Sequence, residues 1–149
     1  MTIEKIKKMM DACYLAKRAW DMLPSLPQGV APSYIHYLDI IEMLESRGVR
    51  VKVSDISETL NLPRPGVTRT VKEMEQKGYL QKTASEEDGR VTYISATEDG
   101  KALSEKYNRT YFGALVPYLS DISEEDADCA IQTIEKFYHV MSERRIDLE

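Results

Sequence analysis

Apolar residues recur at three- and four-residue spacing near both ends of the chain, which predicts long helices with one buried face each. We expect the first helix over about residues 2–24, a second from Pro32 to Gly48, and further helical stripes over about residues 101–145. Thr97 and Ser123 each precede such a stripe and can cap it through their hydroxyl groups. The terminal helices need partners for their apolar faces, and they can pack on the central part of the chain or on a second subunit. Because homodimers are the commonest soluble oligomers, we interpret them as dimerisation helices.

The central part of the chain alternates shorter patterns. Val49–Val53 alternates apolar and polar residues and predicts a short strand, and Ser54 can cap a short helix after it. Two prolines then interrupt the helical pattern, which resumes over Pro65–Lys77. Tyr79–Ala84 and Val91–Ser95 predict the two strands of a hairpin. Helix, turn, helix and hairpin in this order are typical of a winged helix-turn-helix, which places one helix in a DNA major groove.

The second central helix has one apolar face and one polar face. Val67, Val71 and Met74 form its inward stripe. The residues on the other face are compatible with a DNA groove, and they are Pro65, Thr68, Arg69, Lys72 and Gln76. An arginine can pair with guanine through two hydrogen bonds, and lysine and threonine can reach phosphates or base edges.

The charge balance is acidic overall but not uniform. The net charge is −5, yet the segment from Arg47 to Arg90 holds nine basic and seven acidic residues, so the rest of the chain carries −7. DNA affinity depends on local cations, so this balance is compatible with a nucleic-acid partner without demonstrating one. Cys13 and Cys129 form no C-x-x-C pair, and His36 and His139 have no ligand spacing. We expect no metal site, no cofactor, no membrane span and no catalytic motif, and a cytoplasmic location.

The hairpin carries the pattern of a known family. Asp88 and Arg90, followed after a fixed interval by Thr97 and Gly100, match a D-x-R…L-T-x-x-G pattern, with Ala96 where leucine is usual. In this pattern, and in the helix phrase from residue 64 to residue 80, the chain resembles the MarR family of bacterial transcription regulators.

The resemblance implies a mainly α fold with a small β-hairpin wing, in a single domain over residues 1–149 with the winged helix-turn-helix at about 49–100. It also implies a homodimeric repressor on a pseudo-palindromic double-stranded operator, with Arg90 in a minor groove and Asp88 holding Arg90 or its loop. The residues assigned to DNA binding are Ser54, Arg64, Pro65, Gly66, Thr68, Arg69, Lys72, Asp88 and Arg90. Pro63 stands where the family often has serine, and the acidic pair Glu86–Glu87 is unusual for a DNA-facing wing.

Members of this family commonly release DNA on binding a small aromatic or lipophilic effector, or on thiol oxidation. The residues assigned to an effector pocket are Cys13, Tyr14, Trp20, Tyr34, Tyr37, Tyr107 and Tyr111. Core packing is the alternative interpretation of each aromatic residue. Two further alternatives stay open: an oxidant sensor that uses Cys13, and a winged-helix module that binds protein instead of DNA.

Overall fold

The computed structural model describes residues 1–144 and Ile146, and the fold is 66% helical with one antiparallel hairpin. Arg145, the expected end of the last helix, lies outside the described residues. In chain order the elements are α1 (Ile3–Trp20), α2 (Pro32–Ser46), α3 (Val53–Leu60), α4 (Arg64–Gln76), β1 (Leu80–Ala84), β2 (Thr92–Ala96), α5 (Glu98–Ser104), a π-helical segment (Glu105–Thr110), α6 (Tyr111–Leu115), a 3-10 helix (Val116–Leu119) and α7 (Glu124–Glu143). The predicted fold class, mainly α with a β-hairpin wing, is confirmed.

The chain forms two compact units. The first combines residues 1–25 with the described residues from 115 onward. Its helices α1 and α7 begin at the side-chain caps Thr2 and Ser123, whose hydroxyls accept from Lys5 N–H at 3.2 Å and Asp126 N–H at 3.0 Å. Neither helix contains a buried residue, and large apolar side chains such as Trp20 are exposed.

The second unit, Leu26–Ala114, contains the hydrophobic core. Helix α2 is its centre, because α2 contacts α3, β2 and α5. The core draws on each of α2 to α5 and on the hairpin, so one cluster of side chains holds these elements together. Its buried residues are Val30, Tyr34, Tyr37, Leu38, Ile41, Val51, Ile56, Val67, Val71, Met74, Leu80, Ile94, Leu103 and Tyr107.

Two local predictions for the start of α3 are wrong. Val49–Val53 is not a strand: α3 already begins at Val53, and Val51 makes one bond to the hairpin, its carbonyl accepting from Ile94 N–H at 2.8 Å. Ser54 does not cap α3, because it lies within the first turn. The cap position is Lys52, whose N–H donates to the Asp55 carboxylate at 2.8 Å.

The long helical stripe after Thr97 is helical throughout but not uniform. Thr97 is the cap that the sequence predicts, since its hydroxyl accepts from Gly100 N–H at 3.1 Å. The helix widens into π-helical turns over Glu105–Thr110 and then narrows to a 3-10 helix that contains Pro117. The assignment of residues 1–149 to one domain stays a prediction.

Gly100 permits a close approach between α5 and the chain that leaves α4. A Cβ atom at Gly100 would lie 2.1 Å from the Tyr79 carbonyl oxygen and 3.2 Å from Leu38 Cδ2. The same carbonyl accepts from Thr97 N–H at 3.1 Å, so it cannot move away without breaking that bond. The glycine therefore allows the short distance between α5 and the chain that leaves α4.

We expect Gly100→Ala to destabilise the fold by about 1–3 kcal/mol, because the added methyl group meets backbone that is held in place. Gly113→Ala is the matched control: it lies in α6 with no atom within 4 Å of its Cβ position. That change should be neutral or stabilise by up to about 1 kcal/mol. Urea unfolding at equal protein concentration measures both, and equal midpoints for the two variants would contradict the packing argument.

Candidate nucleic-acid interface

The turn between α3 and α4 is held by hydrogen bonds within the chain. Asn61 ends α3 in the left-handed conformation with φ of 50°, which asparagine tolerates better than most residues. The Ser57 hydroxyl donates to the Leu62 carbonyl at 2.6 Å, and Leu62 N–H donates to the Ser57 carbonyl at 3.0 Å. Pro63 then occupies the N-cap position of α4 without a side-chain cap. These bonds set the angle at which α4 leaves α3.

Helix α4 has the two faces that its sequence predicts. Val67, Val71 and Met74 are fully buried. The outer face is exposed at Arg64, Pro65, Thr68, Arg69 and Lys72, with Gly66 half-buried. Among the described residues, neither Arg69 nor Lys72 has a carboxylate within ion-pair distance, whereas Arg64 lies 3.9 Å from Glu58. The helix therefore presents two unneutralised cations to solvent.

The hairpin forms a wing whose tip is closed by hydrogen bonds. Strands β1 and β2 pair antiparallel from Leu80↔Ala96 to Ala84↔Thr92. At the tip, the Asp88 carboxylate accepts from Arg90 N–H at 3.0 Å, and Val91 N–H donates to the Asp88 carbonyl at 2.9 Å. Asp88 thus holds the backbone of the loop, while the Arg90 side chain is exposed. Glu86 and Glu87 are also exposed at this tip.

The interface contains one cation that the sequence reasoning missed. The Arg50 guanidinium stacks on the Tyr93 ring of β2, with 3.9 Å between its carbon and the ring centroid. Stacking orients the guanidinium without neutralising it. The sequence carries no signal for this pair, because Arg50 and Tyr93 become neighbours only when the chain before α3 lies along β2. Ser54, assigned to DNA binding, is half-buried in the first turn of α3.

The residues assigned to an effector pocket lie in both units. Cys13 is half-buried and Tyr14 and Trp20 are exposed, all on α1. In the second unit Tyr34, Tyr37 and Tyr107 are buried in the core, and Tyr111 is half-buried. Their role in effector binding stays a prediction.

An open cleft of about 550 Å³ lies elsewhere in the second unit, and none of the seven assigned residues lines it. Its charged walls come from α2 and from the helical segment after Thr97, and they include Glu42, Glu45, Lys101 and Arg109. Burial raises the pKa of Glu45, an effect that Lys101 opposes and Glu42 reinforces. Arg109 forms an ion pair with Glu42. In the part of the chain that the structure describes, no group of three His, Cys, Asp or Glu residues is placed to hold a metal ion.

The second unit contains a winged helix-turn-helix. It consists of the short helix α3, a hydrogen-bonded turn, the helix α4 with its cationic outer face, and the β1–β2 hairpin. In the described residues no helix combines the length and the apolar character needed to cross a membrane.

Known proteins resemble the chain in sequence and in fold. The MarR family matches residues 28–91. The organic hydroperoxide resistance transcriptional regulator of Bacillus subtilis is 39% identical over 74 residues, which cover 50% of this chain and 49% of the relative. The transcriptional repressor MdtR of the same organism is 30% identical over 107 residues, or 71% of this chain and 66% of the relative. These matches therefore span about half to two thirds of the relatives' lengths.

Streptococcus pneumoniae FabT, solved in complex with DNA, shares the fold with a TM-score of 0.66 over 95% of this chain and 99% of that one, at 19% sequence identity. The chain belongs to the MarR family, which confirms the resemblance drawn from the wing motif.

Proposed function

We propose that this protein is a homodimeric transcriptional repressor that binds a pseudo-palindromic double-stranded operator in the cytoplasm. The observation that carries the proposal is the division of α4 into a fully buried stripe and an outer face with Thr68, Arg69 and Lys72. The names of its relatives, which are regulators and repressors of transcription, support the same function. The role is one of binding, without catalysis.

The wing completes the proposed interface. A narrow minor groove concentrates negative potential and accommodates a single guanidinium, which suits the exposed Arg90. The Asp88 carboxylate supports this use because it accepts from the loop backbone, and the Arg90 side chain is exposed. Arg50, oriented on Tyr93, adds a cation beside the wing that can contact a phosphate.

The uncovered apolar residues of the first unit support the proposed dimer. Trp20 is 67% exposed on α1, and Ile131 and Ile134 are 54% and 51% exposed on α7. Uncovered apolar faces of this kind mark interaction sites. A second copy buries them with two-fold symmetry, and the same symmetry presents two recognition helices to a palindromic site.

For the signal that releases DNA, we propose a small aromatic or lipophilic effector. The aromatic residues of α1 and α2 support this proposal. A thiol signal is the second candidate: Cys13 is half-buried on α1, and one relative is named for organic hydroperoxide resistance.

Binding of the purified protein to its own upstream DNA across a salt series tests the function. We expect Arg90→Ala to weaken binding and to reduce the salt slope by about one unit, because one cation near phosphate is lost. Arg18→Ala is the matched control, since it removes an exposed arginine of α1. Unchanged affinity for Arg90→Ala would refute the wing assignment, and wild-type protein that binds no DNA at low salt would favour a protein-interaction module.

Arg69→Ala should cost about 1–3 kcal/mol of operator binding and relax the preference at one base position, as the loss of a bidentate guanine contact requires. Arg69→Lys keeps the charge but not the planar fork, so it should lose selectivity more than affinity. Titrations against operators with single base changes measure both effects. An equal loss on all sequences would instead make Arg69 a phosphate contact.

The two candidate signals differ in their dependence on Cys13. With an effector as the signal, Cys13→Ser protein and wild type should both stay on DNA after peroxide treatment. Band-shift assays on reduced and oxidised protein measure this. Wild-type protein that leaves DNA on oxidation, together with Cys13→Ser protein that stays bound, would overturn the effector proposal in favour of the thiol.

A further inference from the structure

We propose that Tyr34 keeps the Glu73 carboxylate away from Arg69, and that this contact leaves Arg69 available to bind DNA. The inference rests on the proposed function and deepens it. It makes Tyr34, a buried residue of α2, a positioning residue for the recognition helix.

The spacing along α4 places Glu73 where it can form an ion pair with Arg69. Glu73 follows Arg69 by four residues, so the two side chains lie on the same side of the helix, one turn apart. Opposite charges at this spacing commonly pair on exposed helices. Among the described residues, however, Arg69 has no carboxylate within ion-pair distance, although both side chains are exposed.

Glu73 is instead bonded to α2. The Tyr34 hydroxyl donates to Glu73 Oε2 at 3.2 Å, across 39 positions of sequence. The Tyr34 side chain is only 2% exposed and packs against Tyr79 at 6.4 Å between ring centroids, so its hydroxyl is held at one place. At 3.2 Å this bond is longer than a strong hydroxyl–carboxylate bond, but the exposed ion pair that it replaces is itself weak, and the buried Tyr34 ring loses no freedom on making it.

Lys77 reinforces the arrangement from the next turn of the helix. Its ammonium group donates to the Gly29 carbonyl and lies 5.2 Å from the centroid of the Tyr34 ring. Glu73 and Lys77 are four residues apart, so both reach the same short segment, residues 29–34, from one side of α4. Because the buried stripe makes only non-directional contacts, these two polar contacts also restrict the rotation of α4 about its axis.

The energetic effect is modest for each helix and larger for a dimer. Exposed ion pairs at this spacing are weak, so pairing with Glu73 should reduce the affinity of Arg69 for DNA by about twofold. A dimer on a two-fold operator has two such arginines, and the factor is squared to about three- to fivefold.

Four proteins test the proposal by operator titration at low salt: wild type, Tyr34→Phe, Tyr34→Phe with Glu73→Gln, and Tyr79→Phe. Tyr34→Phe frees Glu73 and should weaken binding by the factor above. Adding Glu73→Gln removes the competing charge and should restore affinity to within about twofold of wild type. Tyr79→Phe is the matched control, since it removes a tyrosine hydroxyl beside the Tyr34 ring and, among the described residues, the Tyr79 side chain makes no hydrogen bond to α4. It should bind like wild type.

The rescue separates the proposed role from a merely structural one. If Tyr34 only stabilises the fold, the double variant will bind as weakly as Tyr34→Phe, and the proposal is overturned. It is also overturned if Tyr34→Phe binds like wild type.

A measurement without DNA separates this inference from the proposed function. Nitrogen-15 NMR of the Arg69 side chain should show a shifted Nε–Hε resonance in Tyr34→Phe and a wild-type resonance in the double variant. An unshifted resonance in Tyr34→Phe contradicts the inference. A shifted resonance in protein that binds no operator supports the contact while refuting the function.

Discussion

The burial of Val67, Val71 and Met74 is the constraint on which the interface depends. These three side chains fix which face of α4 meets the core, and so they also fix which face is left for DNA. Hydrophobic burial is strong but non-directional, so it sets the face without setting the finer rotation of the helix. Directional hydrogen bonds add the rest: the Tyr79 carbonyl, beside Gly100, accepts from Thr97 N–H, and Glu73 accepts from the Tyr34 hydroxyl.

Features that depend on local periodicity could be predicted from the sequence. The inward stripe of α4, the hairpin, and the caps Thr97 and Ser123 each depend on residues within one or two turns of one another. The start of α3 could not be predicted. The alternation over Val49–Val53 is typical of a strand, whereas in the structure Val51 makes one bond to β2 and α3 begins at Val53. The Asp55 carboxylate, which accepts from Lys52 N–H, caps α3 in place of the predicted Ser54 hydroxyl.

Contacts between distant parts of the chain were beyond prediction. Arg50 meets Tyr93, and Tyr34 meets Glu73, only after α2 and the hairpin pack around α4. The wing motif is an intermediate case. Its last residue, Gly100, belongs to the family pattern that the sequence shows. The reason for a glycine there, a carbonyl oxygen 2.1 Å from the Cβ position, is visible only in the structure. In the same way, the motif left open whether Asp88 holds Arg90 or its loop, and the structure has it bonded to the loop backbone.

In the proposed function, two copies of this helix and wing bind one DNA site. Hydroxyl-radical footprinting of the upstream DNA can show both copies at once. We expect two symmetric protected regions whose centres lie one helical turn, about 10 base pairs, or a multiple of that apart, with flanking minor-groove protection that Arg90→Ala removes. A single protected half-site, or no protection at low salt, would refute binding by a two-fold dimer.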